Sequence, residues 1–265
     1  MLKEEVVKKY KDEERLLISK VLDKIELADR NMHIQSSDFL NLNEQALISK
    51  ILNQIQREAI LYGGYENAER KMLFVIPDKL NKSIDKINYN EFFGVIRIKL
   101  SSKIKEKYTH RNYLGALIKL GLKREKIGDI LVDNDGADII ASKEIIKFLY
   151  INLPMLKRFE YCNIQEIGIE SLKKVKLNLQ YRSIQVSSMR LDNIISELMN
   201  TSRSKASQII LEQRVFLNYV CETKVTKLVK ENDIITIRGK GRFKIDEIIG
   251  NTRKGKINIK IEYFF

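Results

Sequence analysis

Apolar residues open the chain at helical spacing: Leu16, Leu17, Val21, Leu22 and Ile25 share one face. A second set, Leu47, Ile48, Ile51, Leu52 and Ile55, follows Ser36-Ser37-Asp38, which offers an N-cap. Gly63-Gly64 is the expected stop of that helix. Beyond residue 70 the period changes. Met72 to Ile76, ended by Pro77-Asp78, and Phe92 to Leu100 read as strands. Tyr113 to Leu120 reads as a short helix stopped by Gly121. Ile127 to Val132 and Ala137 to Ala141 flank Asp133-Asn134-Asp135-Gly136, a hairpin turn. Lys143 to Tyr150 is a further helix, and Lys174 to Leu179 alternates like a strand. The last part carries helices at 191–200 and 203–212. Strands follow at Val215 to Leu217, Asp233 to Arg238, Phe243 to Ile249 and Ile257 to Tyr263. The pattern predicts an α+β chain in three parts: a helical region 1–70, an α+β sandwich 71–180, and an αα-plus-β domain 181–265.

Composition narrows the function classes. Of 265 residues, 44% are hydrophobic and 31% are charged with mixed sign, so globular cores are expected. The formal net charge of +13 suits a polyanionic partner. A Lys-, Ile- and Asn-rich composition raises that sum without function, so the position of the charge matters more. Two cysteines, Cys162 and Cys221, and two histidines, His33 and His110, lack zinc-ligand spacing, and no cofactor is expected. The N-terminus has no apolar signal region, and no 18-residue apolar window exists. A cytoplasmic protein without a membrane span or a small-molecule substrate is the expectation.

Candidate chemistry clusters in two basic stretches. In Thr201-Ser202-Arg203-Ser204-Lys205, cations and hydroxyls crowd a helix N-terminus, where the dipole repels cations but attracts anions. Exposed N–H groups, hydroxyls and two cations there fit a phosphate. The simpler reading has Ser202 cap the helix beside solvated cations. Arg190 precedes the preceding helix and can reach the same face, while Asp192 reads as an N-cap or first-turn acid. Gln208, Lys224 and the turn Arg238-Gly239-Lys240-Gly241-Arg242 complete this set, with Phe243 expected in the core. The second stretch, Arg97 to Lys126, holds ten Lys/Arg against Glu106 and Glu125. Its candidates are His110, Arg111, Lys123, Arg124 and Lys126, with Tyr108 and Tyr113 able to stack on bases unless Tyr113 lies in the core.

The run RLDNIISELMNTSRSKASQIILEQRVFLNYV, followed by ENDIITIRGKGRF, resembles the S-four RNA-binding domain over roughly residues 187–250. YGGYENAERK at 62–71 and THRNYLGALIKLGLKREKIGDILV at 109–132 resemble the YlmH family of bacterial S-four proteins. That resemblance implies an N-terminal helical part, a middle RNA-recognition-motif-like domain and a C-terminal S-four domain. It also implies ribosome-associated quality control, with binding of rRNA and tRNA on a large ribosomal subunit carrying peptidyl-tRNA. The family's gene neighbourhood is linked to cell division. The RNA-facing motif positions fall on Arg190, Arg203, Lys205 and the 238–242 turn. One departure stands out. S-four domains have a glycine after the second helix, and here it is Gln213, whose left-handed conformation would cost about 1 kcal/mol, so a different helix ending is expected. The expectation is a non-catalytic RNA-binding factor. The alternatives are an RNA-modifying enzyme with an S-four appendage, for which His110 is the one candidate base, and a division-site scaffold.

Overall fold

Helix α1 (Asp12–Asn31) and helix α2 (Leu42–Gln54) form where the apolar period predicts them. In this computed structural model, residues 7–10, 12–80, 87–101, 108–173, 180–252 and 255–264 are described. The cap of α2 is Asn41, not the Ser36-Ser37-Asp38 cluster. Its side chain accepts from Glu44 N at 3.0 Å, and the Glu44 carboxylate accepts from Asn41 N at 2.6 Å, a reciprocal capping box. Ser36 instead lies in the short strand β1 (Gln35–Ser36), and Ser37 Oγ accepts from Leu73 N. Gly63 does not stop α2, since strand β2 (Ile60–Tyr62) intervenes. A Cβ on Gly63 would lie 2.2 Å from the Arg70 carbonyl oxygen, so close backbone approach is what this position requires.

The chain divides into two compact units, Met1–Val175 and Lys176–Phe265. In the first, strand β3 (Met72–Val75) is the centre of a three-stranded sheet ordered β1-β3-β2. The strand expected to open the middle segment therefore pairs with the helical region before it. All four of its residues are buried, because each face has its own cover. Leu73 and Val75 pack under α1 and α2 with Ile18, Val21, Ile48 and Ile51. Met72 and Phe74 face Phe93, Val95 and Ile140 of the neighbouring sheet.

That sheet follows β4 (Phe93–Lys99), α3 (His110–Lys119), β5 (Ile127–Val132), β6 (Gly136–Ser142), α4 (Lys143–Asn152) and β7 (Asn163–Ile167). The β-α-β-β-α-β succession with sheet order β5-β6-β4-β7, antiparallel throughout, is the split βαβ arrangement of an RNA-recognition-motif-like fold. One face packs on α3 and α4 through Ile96, Ile98, Ile139, Tyr113, Leu117, Ile146 and Leu149. The other face, which stacks bases in open motifs of this kind, is covered by Phe39, Met72 and Phe74. Phe93, Val95 and Ile140 on that face are therefore closed to stacking bases. Asp138 lies on the covered face, fully buried, and accepts both Arg97 Nε at 2.7 Å and Arg97 Nη2 at 2.6 Å, plus Lys173 N at 2.8 Å.

The second unit begins with β8 (Gln180–Val186), which the sequence pattern did not single out; the strand expected at 174–179 lies outside the described residues. Helices α5 (Leu191–Met199) and α6 (Arg203–Leu211) follow. Then come β9 (Val215–Leu217), β10 (Val220–Cys221), β11 (Ile234–Ile237), β12 (Gly241–Asn251) and β13 (Ile257–Phe264), ordered β10-β9-β11-β12-β13-β8. Leu191, Ile194, Ile195, Ala206, Ile209 and Ile210 of the helix pair pack with Val215, Ile235, Phe243, Ile245 and Ile259 of the sheet.

Contrary to expectation, α6 ends in the left-handed manner. Gln213 has φ +57°, its N–H donates to the Ile210 carbonyl, and Arg214 N–H donates to the Ile209 carbonyl. This is a Schellman closure with glutamine at the glycine position. Two satisfied carbonyls outweigh the backbone strain. Gln213→Gly is accordingly expected to raise stability by about 1 kcal/mol. Thermal denaturation of the full chain checks it, and no gain would mean that the strain is relieved elsewhere.

Candidate RNA-binding site

Asp192 organises the C-terminal basic cluster. It sits in the first turn of α5, where an acid suits the helix dipole, and it is 1% exposed. The carboxylate accepts from Arg190 Nε at 3.1 Å, Arg190 Nη2 at 3.0 Å and Arg203 Nε at 2.7 Å. Burial alone would push the Asp192 pKa up; the two guanidinium groups outweigh it and hold the carboxyl below its ordinary value. Arg190 is the N-cap residue of α5 and is half-buried, while the Arg203 side chain is 52% exposed.

This revises the reading of the α6 N-terminus. Arg203 is not an unrelieved cation, because Asp192 holds it. Ser202 caps α6, its Oγ accepting from Lys205 N and lying 3.0 Å from Ser204 Oγ. Two guanidinium groups still share one carboxylate, so a net positive charge remains, and exposed Lys205 adds to it. Arg203 is gripped at Nε alone among the described residues. Its two terminal nitrogens stay available, in a planar fork whose orientation is already set. The sequence offered one signal for this that was not used: an acid at 192 between arginines at 190 and 203.

The remaining candidates of this unit fall into three settings. Thr201 is half-buried just beyond left-handed Asn200 (φ +49°), which ends α5. Gln208 is exposed on α6 and donates to Glu212 Oε1 at 3.0 Å. Lys224 is exposed in the loop between β10 and β11. In the β11–β12 turn, the Arg238 guanidinium lies 4.9 Å from the Phe216 ring centroid, and that of Arg242 lies 5.8 Å from Tyr219. Lys240 is exposed at the tip, and Phe243 is buried, as expected.

In the first unit the second basic stretch separates into two groups. His110 and Arg111 are exposed in the first turn of α3, and Lys123 is exposed beyond its end. Although the residue is exposed, partial desolvation of the ring and the nearby Arg124 guanidinium lower the His110 pKa from its ordinary value. Arg124 and Lys126 have structural partners. Arg124 Nη1 donates to the Ile127 and Gly128 carbonyls, and burial, with Arg70 beside it, lowers its pKa to about 10. Lys126 is paired with Asp38 at 2.7 Å and with Glu144. Tyr113 is fully buried and cannot reach a base, and the Tyr108 ring lies under the Arg158 guanidinium. Arg97 is committed to Asp138, and residues 102–107 lie outside the described ones.

The motifs at 62–71 and 109–132 meet at Asp129. This buried carboxylate accepts from Tyr65 Oη at 2.8 Å, Glu69 N at 2.7 Å and Arg70 N at 3.0 Å. Arg70 in turn donates to the Ile127 and Phe39 carbonyls. Burial raises the Asp129 pKa against the lowering effect of these three donors. The arrangement ties the N-terminal sheet to β5; it is a structural joint. Among the described residues no cluster of His, Cys, Asp and Glu could hold a metal ion, and no helix is long and apolar enough to cross a membrane.

Comparison with known proteins matches this chain in three consecutive pieces. The YlmH N-terminal family covers residues 13–80, the putative RNA-binding domain in YlmH covers 89–185, and the S4 domain covers 189–235. Ribosome-associated protein quality control protein P2 of Bacillus subtilis (strain 168) is 26% identical over 258 residues, 97% of this chain and 98% of that protein. The solved structure of cell division protein ylmH from Streptococcus pneumoniae is 18% identical with a TM-score of 0.48, over 62% of this chain and 97% of that one.

Proposed function

We propose that this chain, which belongs to the YlmH family of S4-domain RNA-binding proteins, is a non-catalytic factor that grips structured RNA on the large ribosomal subunit carrying peptidyl-tRNA. The reading draws on the near full-length relative named for ribosome-associated quality control. The observation that carries it is the arginine pair on Asp192. A buried carboxylate fixes two guanidinium groups, and Arg203 presents its terminal nitrogens beside the N-terminus of α6 and Lys205. A planar guanidinium fork matches phosphate bidentately, and holding it beforehand removes part of the ordering cost of binding. Arg190, Thr201, Ser202, Ser204, Gln208 and the Arg238–Arg242 turn are further candidates for RNA contact in the same unit, the turn lying against Arg214 beyond the C-terminal end of α6. Exposed His110, Arg111 and Lys123 form a second, smaller one.

The double variant Arg203→Ala/Lys205→Ala tests this. Asp192 keeps Arg190, so the helix pair stays folded. Co-sedimentation with purified large ribosomal subunits is expected to weaken at least tenfold, and the wild-type complex to dissociate as salt rises. Undiminished co-sedimentation of a folded double variant would remove the phosphate site.

A further inference from the structure

A groove of about 710 Å³ lies in the C-terminal unit, lined by three lysines, Lys224, Lys227 and Lys230, together with Val220 and Leu228. We infer that this groove is a second track for the same RNA, taking its sugar-phosphate backbone beyond the Arg190–Arg203 fork; the inference rests on the RNA-binding reading above.

Backbone hydrogen bonds place the groove beside the fork. Asp192 N donates to the Val225 carbonyl, Leu191 N to the Lys227 carbonyl and Val229 N to the Met189 carbonyl. Arg190 and Leu228 face each other across an antiparallel bridge. The 225–229 segment is thus zipped along the residues that carry Arg190 and Asp192. All three lysines are exposed, and none of their ammonium groups has a carboxylate partner among the described residues.

The two acids of the groove are already engaged. Glu222 Oε1 accepts from Lys224 N at 2.8 Å. Asp233 Oδ2 accepts from Lys230 N at 2.7 Å, and its Oδ1 accepts from Asn218 Nδ2. These bonds shape the loop and leave both carboxylates charged; three lysines against two acids keep the groove net positive, which favours an outside anion. Val220 and Leu228, 62% and 63% exposed, offer apolar contact to ribose and base between the charges. A lysine is a mobile point charge, unlike the fixed arginine fork, so the groove tracks a backbone more than it recognises one group.

The test is the triple variant Lys224→Gln/Lys227→Gln/Lys230→Gln of the full chain, bound to purified large ribosomal subunits over a salt series. Loss of three phosphate contacts is expected to flatten the slope of log K against log salt by about 2–3, and to weaken binding at least tenfold at 0.1 M salt. The triple Lys→Arg variant should bind as the wild type does. Should the triple glutamine variant not fold, Lys227→Gln and Lys230→Gln are measured singly, each expected to remove about one from the slope. An unchanged slope and affinity, with Arg203→Ala/Lys205→Ala still defective, would overturn the groove and leave the fork in place. Wild-type binding by both variants would overturn the groove together with the reading it rests on.

Discussion

Asp192→Ala is expected to destabilise the C-terminal unit by about 2–4 kcal/mol. Removing one partner of a buried ion pair costs about 3–5 kcal/mol when the orphaned charge stays buried. Here Arg190 and Arg203 keep water contact, with side-chain exposures of 33% and 52%, which lowers the figure. The loss still includes three arginine hydrogen bonds and one from Asn193 N, and it leaves two cations facing each other. The acid limb should change too. The arginines hold the folded Asp192 pKa below its unfolded value, so its contribution is complete above about pH 3.9 and is lost as pH falls through the folded value. Asp192→Ala therefore costs most near neutrality and little in strong acid. Urea denaturation at pH 7 and at successively lower pH reads both effects. A variant with the wild-type midpoint at pH 7 would show that the clamp carries no stability.

Asp138→Ala should cost more, about 3–5 kcal/mol, because both partners lie deep. Asp138 is fully buried, the Arg97 side chain is 19% exposed, and the pair joins β4 to β6 across the sheet. Removing the carboxylate takes both Asp138 bonds from the Arg97 guanidinium, which among the described residues keeps only the Ser171 carbonyl, and leaves Lys173 N–H without its acceptor. Asp138→Asn keeps the shape and one acceptor and should fall between the two. A thermal midpoint for Asp138→Ala within 1 °C of the wild type would contradict this assignment.

Much of the fold was legible because its period is strong. The hairpin at Asp133–Gly136, the helix pair at 191–199 and 203–211, and the strand at 93–99 follow directly from spacing and turn residues. Strand β7 was not, because its side chains are mostly exposed at a sheet edge and carry no apolar alternation. The cap of α2 was misplaced because Asn41 and Glu44 satisfy each other through a reciprocal bond that a serine cluster upstream masked. In the candidate site, charge in the sequence did not show which cations have partners within the fold. Arg124 and Lys126 look like free cations in sequence, yet their partners are backbone carbonyls and acids up to 88 residues away. Arg203 looked electrostatically unrelieved until its partner eleven residues earlier was in view.

The sheet face covered by Phe39, Met72 and Phe74 has a consequence during synthesis. Its other half, Phe93, Val95 and Ile140, is made later, and Ile140 follows Phe39 by about a hundred residues. At about 5–20 residues per second, Phe39 waits roughly 5–20 s for its partner. Through that interval the nascent chain holds an aromatic surface that only its own unmade sequence can close. A ribosome halted on this message between those points would keep that surface open to chaperones and to other nascent chains.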